Sequence, residues 1–179
     1  MFESKTLGVV LAGGKSSRMG ADKTQLLFDG KPFVDHMAGL LGDAGVDEIV
    51  ISGKQVAGYT YTADNTPFAG PAQAMLQVMQ SYQNGSQYGL SGNWRALFVP
   101  ADMPLLEAPL LQDLLAQHTS CYFGEHYLPC VLDGRSLTDI DPQTAAVKHL
   151  LCQAGAAVCQ IPEAAKNQFF NINTPEDFA

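Results

Sequence analysis

The feature that most constrains this chain is a strand, a loop, a helix and a second strand packed into its first 52 residues. Leu7-Gly8-Val9-Val10-Leu11 is an apolar, branched run with the length of a buried strand. From Pro32 to Ala44, Phe33, Met37, Leu40 and Leu41 recur at helical spacing, and Gly45 is placed to end the helix. Glu48-Ile49-Val50-Ile51-Ser52 reads as the next strand. A βαβ unit of this kind implies a parallel sheet with a right-handed crossover. The expected fold is therefore α/β, a three-layer sandwich around a mostly parallel central sheet.

The loop between the first strand and the helix carries the chemistry. It reads Leu11-Ala12-Gly13-Gly14-Lys15-Ser16-Ser17-Arg18-Met19-Gly20-Ala21-Asp22-Lys23. Two adjacent glycines let a ligand approach the backbone amides with no side chain between. Lys15, Arg18 and Lys23 add three cations within nine residues, in a chain of net charge -8. Exposed amides and local positive charge describe a polyphosphate cradle. Two better-known phosphate loops are excluded. A Walker A loop needs a glycine five positions before Gly14, where Val9 stands, and no reading frame supplies the three glycines of G-x-G-x-x-G.

Downstream, Tyr59 to Thr62 alternates like a short strand leading to Asp64. The turn-rich Asp64-Asn-Thr-Pro-Phe-Ala-Gly70-Pro71 then opens a helix over 72–82, with Met75, Leu76 and Met79 inward. Asn84 to Asn93 is a glycine-rich loop. Ala96-Leu97-Phe98-Val99 is a wholly apolar, hence central, strand, and it delivers Pro100-Ala101-Asp102-Met103-Pro104 at its end. Ligands of open parallel sheets bind beyond the carboxyl ends of the strands, so Asp102 and the glycine loop are expected to face one crevice. A helix over 107–118 buries Leu110, Leu111, Leu114 and Leu115. Two short strands lie within 121–132, with His126-Tyr127-Leu128-Pro129 between or within them. A helix over 144–153 and a strand over 157–161 follow, and Phe169-Phe170-Asn171-Ile172-Asn173 reads as a strand entering a helix capped by Thr174 and barely formed.

Length and composition bound the partners. At 179 residues and 46% hydrophobic content, a single domain over 1–179 is expected. The acidic balance argues against nucleic acid as a partner. Neither a signal-peptide core nor an apolar run of roughly 18 residues is present, so no membrane association and a cytoplasmic location are expected. Cys121, Cys130, Cys152 and Cys159 form no C-x-x-C pair and read as buried free thiols, with a Cys121/His126/Cys130 metal cluster as the other possibility.

Residues 11–20, followed by Asp22-Lys23 and Gly30-Lys31-Pro32, closely resemble the opening of the nucleotidyltransferases that activate sugars, isoprenoid precursors and molybdopterin. Within that superfamily the chain is most similar to the molybdenum cofactor guanylyltransferase (MobA-like) family. The resemblance implies the Rossmann-like nucleotidyltransferase fold, and transfer of GMP from GTP to molybdopterin with release of pyrophosphate. It implies nucleotide contacts at Leu11, Ala12, Gly13, Gly14, Lys15, Arg18, Lys23, Asp64 and Gly70, with Arg18 and Lys23 catalytic. It further implies Mg²⁺ on Asp102, Asn171 and Asn173 near the metal or the acceptor, and other molybdenum cofactor biosynthesis proteins as partners.

The residues agree with that chemistry independently. Nucleotidyl transfer crowds negative charge onto phosphate oxygens, and needs cations and oriented amides rather than a strong nucleophile. Asp102 is the hard oxygen donor that Mg²⁺ prefers. Two positions depart from the family. Ala74 places a methyl group where the family has glycine beside the base, and an asparagine often present in guanine-specific members is replaced around Ser52-Gly53. A CTP-using molybdopterin cytidylyltransferase, another small-molecule nucleotidyltransferase and a nucleotide-binding module without catalysis are the alternatives.

Overall fold

The computed structural model describes residues 4–13, 27–63, 69–84 and 93–172. Among the described residues, nine strands and four α-helices fall in the order β1 (Lys5–Leu11), β2 (Leu27–Phe28), β3 (Lys31–Pro32), α1 (Phe33–Ala44), β4 (Glu48–Ser52), β5 (Thr60–Thr62) and α2 (Pro71–Asn84). Then come β6 (Trp94–Pro100), α3 (Ala108–Leu115), β7 (Cys121–Phe123), β8 (His126–Asp133), α4 (Val147–Gln153) and β9 (Ala157–Cys159). Short 3-10 helices occupy Gly134–Asp139 and Glu163–Phe169.

Seven strands form one sheet in the order β5-β4-β1-β6-β8-β7-β9, and β8 alone runs antiparallel to its neighbours. Strand residues alternate between two cores, as a sheet covered on both faces requires. Val10, Leu97 and Val99 pack on one face with α1 and α3. Val9, Ala96 and Phe98 pack on the other with α2 and α4. This is the expected three-layer sandwich. α1 ends at Gly45, whose φ of 90° lies in the left-handed region where glycine has no Cβ penalty.

Several expected elements shift, each for a local reason. The helix expected over 107–118 spans only Ala108–Leu115, because Glu107 is extended and His118 sits at φ 55°. The helix expected from Thr144 begins at Val147. Ala146 is extended, and the Thr144 hydroxyl donates to Gln153 Oε1 at 2.8 Å across the helix. The last strand stops at Cys159 rather than 161. Residues 169–172 are not a strand. Phe169 closes a 3-10 helix with its ring edge-on to Phe123, 5.5 Å away, and the backbone beyond it bonds to a loop rather than to a ladder. Cys121 and Cys130 are buried free thiols, Cys159 is half-buried, and Cys152 is exposed because its helix face points to solvent. Among the described residues, no group of three metal-ligating side chains gathers, so the cysteines and His126 form no metal cluster there. The expected loop at 84–93 lies outside the described residues over 85–92.

One element was absent from the sequence reading. Asp29 and Gly30, at φ 50° and 77°, make a two-residue turn between β2 and β3, the backbone that hairpins favour. The Phe28 ring at its tip lies 4.9 Å from the His36 ring of α1.

Candidate active site

β1 is the point where the strand order reverses: β4 lies on one side of it and β6 on the other. In open α/β sheets a crevice opens there, beyond the carboxyl ends. Leu11 pairs with Ser52 of β4 and with Pro100 of β6, so three strand ends finish level. The three stay tied past their last pairs. The Ala12 N–H donates to the Ser52 carbonyl at 2.9 Å, and the Ala101 N–H donates to the Leu11 carbonyl at 3.1 Å.

That register settles which expected residues meet. Gly13 and Asp102 each stand two residues past the Leu11–Pro100 pair, on strands spaced by about 4.8 Å. Asp102 is half-buried and Gly13 exposed. The Ile172 N–H donates to the Asp102 carbonyl at 2.8 Å, which sets Asn171 beside the same turn although 69 positions separate the two residues. Leu11, Ala12, Gly13, Asp102 and Asn171 are thus gathered at one sheet edge. α2 begins on that edge as well, because it returns from the end of β5. Gly70, at φ 93°, turns the chain into it, and Gln73 fastens its first turn to the carbonyls of Pro142 and Thr144, 3.0 and 2.8 Å away. Gly14, Lys15, Arg18, Lys23, Asp64 and Asn173 lie outside the described residues.

Two features of the edge had no clear signal in the sequence. His36 Nε2 lies 2.8 Å from the Pro104 carbonyl and so ties α1 to the turn that carries Asp102. Ser52, on the α2 side of β4, is 1% exposed, and among the described residues its hydroxyl has no hydrogen-bond partner. A buried orphan of this kind is uncommon.

Among the described residues gathered at this edge, Asp102 is the carboxylate, and Gly13 brings backbone beside it. A Mg²⁺ ion is commonly held by one or two carboxylates together with substrate phosphates, and this donor set fits that arrangement. The fold and the comparisons with known proteins together define the class of this chain, a nucleotidyltransferase. Residues 8–157 match the family described as the MobA-like NTP transferase domain, and the chain belongs to that family. It is 35% identical to a molybdenum cofactor guanylyltransferase of Xanthomonas euvesicatoria pv. vesicatoria, over 96% of this chain and 92% of that protein. Identity to the molybdenum cofactor guanylyltransferase of Rhodobacter capsulatus is 26%, with the same coverage of both chains. The crystal structure of molybdopterin-guanine dinucleotide biosynthesis protein A from Archaeoglobus fulgidus has the same fold, with a TM-score of 0.67 and 16% identity over 96% of this chain and 94% of the other.

Proposed function

We propose that this chain is a Mg²⁺-dependent guanylyltransferase of molybdenum cofactor biosynthesis, transferring GMP from GTP to molybdopterin with release of pyrophosphate. The observation that carries the reading is the meeting of Leu11–Gly13 with Asp102 and Asn171 at the switch point, in a chain whose relatives bear the guanylyltransferase name.

In the reaction, an oxygen of the molybdopterin phosphate attacks the α-phosphorus of GTP. The bond from that phosphorus to the bridging oxygen breaks, and pyrophosphate carries the charge away. Gly13 and Gly14 carry no side chain to keep phosphates from the backbone, and Lys15, Arg18 and Lys23 supply cations for the charge growing on the leaving group. Asp102 and Asn171 would hold Mg²⁺, which supplies Lewis-acid stabilisation of the phosphate oxygens when bound. Gly70 and the first turn of α2 take the nucleotide side, where the Ser52 hydroxyl offers a buried donor and acceptor to the nucleoside.

Pyrophosphate release tests this reading. It should require GTP, molybdopterin and Mg²⁺ together and should collapse on Lys23→Ala. Preference for CTP in a parallel assay would replace the guanylyl assignment. Nucleotide binding without turnover, unaffected by any acceptor, would replace the enzyme with a binding module.

A further inference from the structure

His126 opens β8 and has no part in the site as described so far. Its position follows from register. β6 and β8 are antiparallel, and their last pair toward the crevice is Phe98 with Cys130. Asp102 lies four residues beyond Phe98 and His126 four residues before Cys130, so both chains emerge at the same edge. β7, parallel to β6, ends there too, and the turn Gly124-Glu125 delivers His126 directly onto that edge.

The ring is held rather than loose. It stacks on Phe169 with centroids 4.3 Å apart and planes 20° from parallel. Phe169 is itself buried and wedged edge-on against Phe123. Three residues after Phe169, Ile172 donates to the Asp102 carbonyl. A fully extended chain spans about 3.3–3.6 Å per residue, so this link holds the Phe169 backbone within roughly 11 Å of that of Ile172. Asn171 lies along the same link. One face of the imidazole is thus fixed by an aromatic ring at a short reach from the carboxylate turn. Among the described residues, neither ring nitrogen has a hydrogen-bond partner, and the side chain is half-buried. Lys166, three residues before Phe169, pairs with Glu163 at 2.6 Å.

The nucleotide-side features, Ser52 and Gly70, lie with β4 and α2, on the opposite flank of β1 from β8. A phosphate-bearing acceptor approaching Asp102 from the β6–β8 flank would meet the edge that carries His126. An imidazole N–H is the kind of donor that a phosphate oxygen on that flank can accept from. We infer that His126, levelled on Phe169, is an acceptor-binding residue that donates a hydrogen bond to the phosphate of the acceptor. The inference rests on the proposed reaction for the identity of that acceptor.

Equilibrium binding of molybdopterin to the full chain, followed by pterin fluorescence and run beside GTP binding, tests it. His126→Phe keeps an aromatic ring on Phe169 but removes the N–H, and His126→Ala removes both. Both variants should bind molybdopterin at least tenfold more weakly with GTP affinity within twofold of the parent, and His126→Gln, which retains a donor, should recover most of the loss. Undiminished molybdopterin affinity in His126→Phe overturns the hydrogen bond, and a matching loss of GTP affinity assigns the residue a merely structural role and overturns it too. If the parent chain binds GTP but no molybdopterin, the guanylyl-transfer reading itself fails and the inference falls with it. That result is recognisable because it precedes any substitution.

Discussion

Ser52→Ala should move stability and nucleotide affinity in opposite directions. Without nucleotide, the buried hydroxyl at the end of β4 has lost its water and gained no partner among the described residues. An unsatisfied buried polar group costs about 1–3 kcal/mol. Replacing Ser by Ala removes that cost and deletes only one oxygen, so the cavity term is small. Taking the low end, about 1 kcal/mol, a chain of this length should unfold roughly 2–4 °C higher. With GTP the sign reverses. If the hydroxyl bonds the nucleoside, its loss should weaken binding about tenfold, or roughly 1.4 kcal/mol. Ligand stabilisation follows the logarithm of concentration over Kd, so the GTP-induced rise in Tm should shrink by about 3–6 °C. Differential scanning fluorimetry of parent and variant, with and without GTP and Mg²⁺, reads both effects. A lower Tm for the nucleotide-free variant would show that the hydroxyl is satisfied, and an unchanged GTP shift would remove it from the nucleotide site.

Asp102→Asn should reduce pyrophosphate release by at least about a hundredfold, since it removes the charged donor expected to hold the metal, while leaving the far-UV spectrum unchanged. Comparable turnover would take the metal elsewhere. Gly134→Ala should destabilise by about 1–3 kcal/mol, because a Cβ there would stand 2.5 Å from Cε2 of the buried Trp94 and the ring would have to shift. Trp94 is the chain's single tryptophan, so its emission should report the repacking alongside a chemical-denaturation midpoint. For the thiols, burial foremost and then the neighbouring Cys159 push Cys121 up to about 12, and burial pushes Cys130 higher still. Both stay protonated in the folded chain after an unfolded thiol, near about 8.5, has ionised. Their contribution is therefore complete below that value and is lost as pH rises from there through about 12. Unfolding free energy should fall across that alkaline window, and an Ellman reagent should label the exposed Cys152 long before either buried thiol. Rapid native labelling of Cys121 would contradict the packing.

Much of the architecture was legible because it is local. Apolar runs of strand length, the 3.6-residue spacing of Phe33, Met37, Leu40 and Leu41, and Gly45 where only a left-handed residue ends the helix are properties of neighbouring residues. The Leu11–Lys23 loop is equally local, and it was enough to exclude two other phosphate loops and point to a third. The β2–β3 hairpin was missed although Asp29-Gly30 carries its turn signal, since the flanking strands are two residues each and leave almost no periodicity. Residues 169–172 misled because Phe-Phe-Asn-Ile looks like a strand to any local rule. In the fold its backbone finds Asp102 and its ring finds Phe123 and His126.

What the sequence by itself determined, then, is the kind of chemistry: a strand that ends in adjacent glycines and clustered cations, with a carboxylate released by a second apolar strand. Which residues share the crevice was decided by tertiary structure alone. Leu11 and Pro100 are neighbours because two strands 89 positions apart pair in register, and that pairing is set by burial of both strand faces at once. The same global constraint turns β8 against its neighbours, brings His126 to the edge where Asp102 emerges, and strands the Ser52 hydroxyl in the interior. None of these follows from spacing, because each depends on which distant chain is available to cover an apolar surface.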